Sequence, residues 1–99
     1  MHILFRPEAR TEALEAQAWY ESRAQGLGQE FARALEAAVT QAARKPETFP
    51  PIGLDGCRRI LLRKFPFLLI YQVRGGELLV VAVFHHRRDP SVLVQRTGG

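Results

Sequence analysis

The residues best equipped for chemistry lie late in the chain. His85-His86-Arg87-Arg88-Asp89-Pro90 closes an apolar run from Leu78 to Phe84, and Arg58, Arg59, Arg63 and Lys64 bracket an earlier apolar stretch. Imidazole titrates near neutrality, so His85 or His86 could act as general acid or base in RNA cleavage. The guanidinium forks of Arg87 and Arg88 suit phosphate or carboxylate. A histidine pair also suggests a metal, but adjacent residues on a strand point to opposite sides, and no Cys, His or carboxylate set completes a site. No metal or cofactor is expected. A plainer reading pairs Asp89 with an arginine, lets it cap the tail and leaves the rest solvated. The chain has no Gly-rich phosphate loop, no Ser/His/Asp set and no zinc spacing, so no catalytic residue is assigned outright. Trp19-Tyr20 reads as core more readily than as a ligand cage.

The elements that must position these groups follow from periodicity and punctuation. Residues 2–6 read as a short strand, and Pro7 suits the first turn of a helix. Glu8 to Ala24 is rich in helix formers, with Glu8, Glu12 and Glu15 favouring the positive end and Leu14, Ala18, Trp19 and Tyr20 supplying an apolar side. Gly26 is placed as a left-handed cap ending that helix. Leu27, Phe31, Leu35, Val39 and Ala42 then mark a second helix, closed by Arg44, Lys45 and Pro46. So short a connection predicts an antiparallel helix hairpin. Residues 46–56 form a loop rich in Pro and Gly. Cys57–Lys64, Phe67–Val73 and Glu77–His85 read as strands, the last two joined through the hairpin signal Gly75-Gly76. The tail Ser91–Arg96 reads as one short helical turn. The fold class is α+β in the order β-α-α-β-β-β, a single domain over 1–99 with the helix hairpin on one face of a small, mainly antiparallel sheet.

A side-chain period of two puts Arg59, Leu61 and Arg63 on one side of their strand and Ile60 and Leu62 on the other. The helices are expected to cover Ile60 and Leu62. Leu68, Ile70, Gln72 and Arg74 are assigned to the same open face as Leu61. That face would be a greasy strip framed by guanidinium groups, better matched to an amphipathic peptide with acidic edges than to an RNA backbone. The competing reading has the helices or a second copy covering it.

Composition agrees with one ordinary globular domain: 46% of the 99 residues are apolar and 24% charged. The net charge of +4 is unevenly spread. Residues 1–50 carry six Lys/Arg against seven Asp/Glu, and residues 51–99 carry eight against three, an excess of five. Clustered positive charge points to an anionic partner, nucleic acid or acidic protein, or to no more than a solvated rim. The lone Cys57 excludes an internal disulfide and fits a reducing compartment. No signal peptide or membrane span is read, so a cytoplasmic protein with no membrane association is expected.

Taken in order, Tyr20, Gly26-Leu27-Gly28, Phe31, Pro46, Phe49-Pro50, Arg59, Leu62, Phe65-Pro66-Phe67, Ile70-Tyr71 and His86-Arg87-Arg88-Asp89-Pro90 resemble the RelE/ParE toxins of bacterial type II toxin–antitoxin modules. The resemblance spans almost the whole chain. It implies a growth-arresting, plasmid-stabilising toxin that forms a hetero-oligomer with a cognate antitoxin, ParD-like or similar. RelE-like members are ribosome-dependent mRNA endonucleases, whereas ParE-like members keep the scaffold and poison DNA gyrase. Aligning Arg63 and Tyr71 with the family pattern sets Leu61, Leu68 and Val94 where the nuclease branch has lysine, arginine and tyrosine. Arg59 and Arg88 match its basic positions. The resemblance therefore favours the ParE-like branch and gyrase as target. The antitoxin would lie along Arg59, Leu61, Arg63, Leu68, Ile70 and Arg88, and Arg87 and Arg88 would meet the target. The alternative is an endonuclease using Arg59, Arg88 and His85 or His86.

Overall fold

In the computed structural model, which describes residues 1–97, an edge strand leads into a helix hairpin and then a three-stranded meander. The elements are β1 (His2–Phe5), α1 (Pro7–Arg23), α2 (Leu27–Arg44), β2 (Arg58–Leu61), β3 (Phe67–Arg74), β4 (Glu77–His85), a 3₁₀ turn at Pro90–Leu93 and α3 (Val94–Thr97). The sheet order is β1-β4-β3-β2. β1 runs parallel to β4, with Phe5 opposite Val80, and the other pairs are antiparallel. The β-α-α-β-β-β order and α+β class are those read from the sequence. Among the described residues no helix is long and apolar enough to cross a membrane.

Local chemistry explains the boundaries. Pro7 opens α1, and the Arg10 N–H donates to the Arg6 carbonyl at 3.0 Å. The buried stripe of α1 shares only Tyr20 with the one expected. Ala9 and Ala16 are buried and Ala13 and Tyr20 half-buried, while Ala18, Leu14 (57% exposed) and Trp19 (52% exposed) face solvent. At roughly 100° per residue, Ala9, Ala13, Ala16 and Tyr20 form one line, and their small size lets the helix approach the sheet closely. Trp19 instead lies under the Arg23 guanidinium, 4.5 Å from its centroid.

Gly26 is left-handed as expected (φ 87°), but it stands at the N-cap of α2, and the C-cap of α1 is Ala24. The Glu21 carboxylate accepts from the Gly26 and Gly28 N–H groups at 3.0 Å, filling the capping role there. Gly28 is required for close approach: a Cβ there would sit 2.6 Å from the Gln17 carbonyl oxygen. α2 buries Phe31, Ala38, Val39 and Ala42, with Leu27 and Leu35 half-buried.

β2 is shorter than expected. It stops at Leu61 because Lys64 turns left-handed (φ 70°), and the Leu62 N–H closes the turn on the Phe67 carbonyl at 2.9 Å. Gly75 and Gly76 form the two-residue hairpin with φ of 57° and 79°. Pairing slips between Ile70/Ala82 and Tyr71/Val80, so Val81 is an extra residue in β4. Val81 and Ala82 consequently both face away from the helices.

The sheet is therefore covered on both faces. On the helix side Phe31 packs against Tyr20, Phe65 and Phe67 with ring centroids 5.4, 5.2 and 5.2 Å away, and Ile60 and Leu62 join them as expected. On the other side Ile70, Ala82, Phe84 and Leu93 form a second cluster roofed by Ile52, Leu54 and Val92. Three bonds anchor the 46–56 loop: Tyr71 Oη donates to the Pro46 carbonyl (2.7 Å), Arg58 Nη1 to the Phe49 carbonyl (2.7 Å) and Gln72 Nε2 to the Asp55 carbonyl (3.0 Å). The expectation of a wholly open face is thus corrected. Ile70 is 1% exposed and Gln72 is buried, because so apolar a face draws the 46–56 loop and the tail over itself.

Candidate functional site

The second face is not closed over its whole length. Between the loop, β2, β3 and the tail lies a cleft of about 340 Å³, floored by Ile70, Phe84 and Leu93 and rimmed by Arg59, His86 and Arg88. A shallower depression of about 600 Å³, carrying Phe49, Pro50 and Leu61, shares Arg59, Leu68 and His86 with it. Leu61 is 60% exposed and Leu68 half-buried, and neither lies under the helices.

Of the residues singled out from sequence, the fold brings together Arg59, Leu61, Leu68, Ile70, His86 and Arg88. Arg63 sits apart in the β2–β3 turn, and Arg87 is exposed outside the cleft. The histidines diverge. His85 packs edge-on to Phe67 at 5.5 Å, and its Nδ1 accepts from the Arg87 backbone N–H at 3.1 Å. His86 lines the cleft with Nδ1 3.2 Å from the Pro66 carbonyl. That bond needs the proton on Nδ1 and leaves Nε2 as acceptor in the neutral ring.

Asp89 does not pair with an arginine. Its Oδ1 accepts from the Ser91 N–H at 2.9 Å and starts the 3₁₀ turn, and that bond holds its carboxyl below the usual range. Arg88 instead reaches α1, where Nη1 donates to Glu12 Oε2 at 2.6 Å, with Cζ 6.0 Å from the Phe84 ring centroid. Glu12 is a hub. Arg96 grips both its oxygens at 2.9 Å, and Oε1 also accepts from the Val83 N–H at 3.1 Å. Arg96 Nη1 meets the Val81 carbonyl at 3.3 Å. β1 ends at Phe5, opposite Val80, so these two side chains serve the backbone of β4 where a neighbouring strand is missing. The bond to Glu12 raises the Arg96 guanidinium above its ordinary value, more than burial lowers it.

Glu12, Arg96, Phe84, Leu93 and Ile52 were not read from sequence as site residues. Phe84 had a signal, since it lies two residues from Ala82 on one strand face. The pair of Glu12 and Arg96, 84 positions apart, had none. Among the described residues no three His, Cys, Asp or Glu side chains converge where a metal ion could be held. Cys57 is buried, and burial pushes its thiol up, which disfavours the thiolate. What remains is an apolar cavity with guanidinium groups and one imidazole on its rim.

The family model of the ParE toxin of the type II toxin–antitoxin system, parDE, matches residues 3–90. The chain belongs to that toxin family. No curated protein matches the toxin. Its fold is similar to that in a chromosomal ParDE system from P. aeruginosa (17% identity, 86% of this chain and 95% of that chain covered, TM-score 0.62). It is also similar to a mutant of the E. coli toxin RelE in the free state (18%, 98% and 93%, TM-score 0.63) and to the intact E. coli RelBE toxin–antitoxin complex (19%, 88% and 98%, TM-score 0.60). The toxin is thus a type II toxin–antitoxin component with the RelE/ParE fold.

Proposed function

We propose that this toxin arrests growth by binding DNA gyrase in the cytoplasm, without cutting nucleic acid, and that a ParD-like antitoxin neutralises it. The antitoxin lays an amphipathic segment along the cleft. Its apolar side chains enter beside Leu61 and Leu68 above Ile70, and its carboxylates reach Arg59 and Arg88 on the rim and, past the cleft, Arg63 in the β2–β3 turn. Arg87 and Arg88 form the face turned toward gyrase. One observation carries this reading: the cleft floor is apolar, which agrees with the resemblance's placing of aliphatic Leu61, Leu68 and Val94 at the positions of the nuclease branch's charged and phenolic groups. Without those groups the pocket lacks most of the charge stabilisation a phosphodiester transition state needs. The match to the ParE toxin family model supports the same branch.

A second reading is favoured by His86, whose imidazole shares the cleft with Arg59 and Arg88. It makes the toxin a ribosome-dependent mRNA endonuclease, with His86 as proton carrier and the arginines on the phosphate. Purified toxin added to gyrase separates the two. Loss of supercoiling with transcripts intact by primer extension is expected for the gyrase poison. Cuts within translated codons, with supercoiling unaffected, would establish the nuclease instead.

A further inference from the structure

We infer that Glu12, which lies outside the cleft, is the positioning residue for Arg88, and that Arg96 keeps the charge of Arg88 available to a partner. The inference rests on the proposed docking of an acidic segment at the cleft and names the device that prepares one of its contacts.

Burial divides the cluster. The Glu12 and Arg96 side chains are 12% and 10% exposed, whereas Arg88 is 44% exposed. Glu12 and Arg96 form the fixed base, clamped to each other through two parallel bonds and to β4 through Val83 and Val81. Arg88 is the arm resting on that base. A bidentate arginine already neutralises the Glu12 carboxylate, so the charge sum over Glu12, Arg96 and Arg88 (−1 +1 +1) leaves +1. That positive charge resides on the exposed arm. Arg88 engages Glu12 through Nη1, leaving its other nitrogens to meet a carboxylate at the rim.

Arg59 shows the difference this makes. It lines the same cleft, yet among the described residues it has no carboxylate partner. A free arginine loses rotamer freedom when a partner seizes it, whereas one already held loses less. Arg88 is the preformed contact and Arg59 the adaptable one. Removing Arg96 would leave Glu12 unneutralised, and Arg88 would then be consumed as its counter-ion rather than offered to the partner.

The first test needs no partner. In ¹⁵N NMR of the free toxin, guanidinium rotation in Arg88 is expected to be slow and that in Arg59 fast. Glu12→Gln, which keeps an acceptor for the Val83 N–H, should release Arg88. Equal mobility of Arg59 and Arg88 in the unmodified toxin would overturn the inference.

The second test is a double-mutant cycle against the cognate antitoxin, defined as the protein whose co-expression relieves growth arrest. Arg88→Gln should weaken binding by about thirtyfold. Glu12→Gln should weaken it by about tenfold alone and by less than about twofold once Arg88 is Gln. An equal loss in both backgrounds would mean that Glu12 acts only through the fold, and positioning fails. An unchanged affinity in Arg88→Gln would remove Arg88 from the docking site and the partner-directed role of Glu12 with it, while the NMR comparison still decides whether Glu12 holds Arg88.

Discussion

The two faces of one four-stranded sheet are covered by different means, and the difference separates stability from function. On the helix side, α1 and α2 supply regular surfaces, and Tyr20, Phe31, Phe65 and Phe67 interlock with Leu69, Tyr71 and Val80. On the other side the cover is irregular chain, Ile52 and Leu54 from a Pro-rich loop and Val92 and Leu93 from the tail, and it leaves a cavity. Helices satisfy their own backbone and can pack tightly. A loop must spend its polar groups on a few anchors, so its apolar contacts are sparser. The residual apolar surface, rimmed by arginines, is what a second protein can use.

That contrast can be broken by deletion. Phe31→Ala should cost about 4 kcal/mol in denaturant unfolding, since it opens the centre of the aromatic cluster. Arg96→Leu should cost about 3 kcal/mol, because a Glu12 carboxylate only 12% exposed loses its two parallel bonds and keeps Arg88 alone as counter-ion. Leu93→Ala should cost about 2 kcal/mol, at the low end for a buried leucine, because the adjoining cleft lets neighbours relax. Equal losses at Phe31 and Leu93 would show that the two faces are packed alike.

Titration sharpens the contrast further. Burial raises both the Cys57 thiol and the Tyr71 phenol. Each contributes stability that is whole below its unfolded value, near 9 for thiol and near 10 for phenol, and is lost as pH rises through the higher folded value. Stability should therefore fall from about pH 9 upward, and in Cys57→Ala the fall should begin nearer pH 10. An identical onset in the two proteins would contradict the burial of that thiol. The smallest effect belongs to Asp89. Its lowered carboxyl contributes stability above its ordinary range that is lost as pH falls, so Asp89→Asn should slightly flatten the acid limb of the stability profile.

How much of this could be read from residues alone depended on distance along the chain. The Gly75-Gly76 hairpin, Pro7 at the start of α1 and the stripe of α2 are local signals, and all appear where expected. The resemblance named the toxin family to which the chain belongs. The alternation of β2 correctly turned Ile60 and Leu62 to the helices and Leu61 to solvent. The stripe of α1 was misread because size suggested Leu14 and Trp19, whereas close packing selected alanines. Ile70 was expected in the open because nothing local to β3 announces that residues 52, 54 and 93 return to cover it. The partner of Arg88 was unreadable for the same reason, since Glu12 lies 76 positions away on another element.

The central claim is that the arginine-rimmed cleft clasps an acidic, partly apolar polypeptide. Arg59 tests it most directly, being exposed, without a carboxylate partner among the described residues and placed on both depressions. In Arg59→Glu the unfolding midpoint should stay within experimental error while the dissociation constant for the cognate antitoxin rises by about a hundredfold. An unchanged dissociation constant in a folded Arg59→Glu protein would contradict the claim.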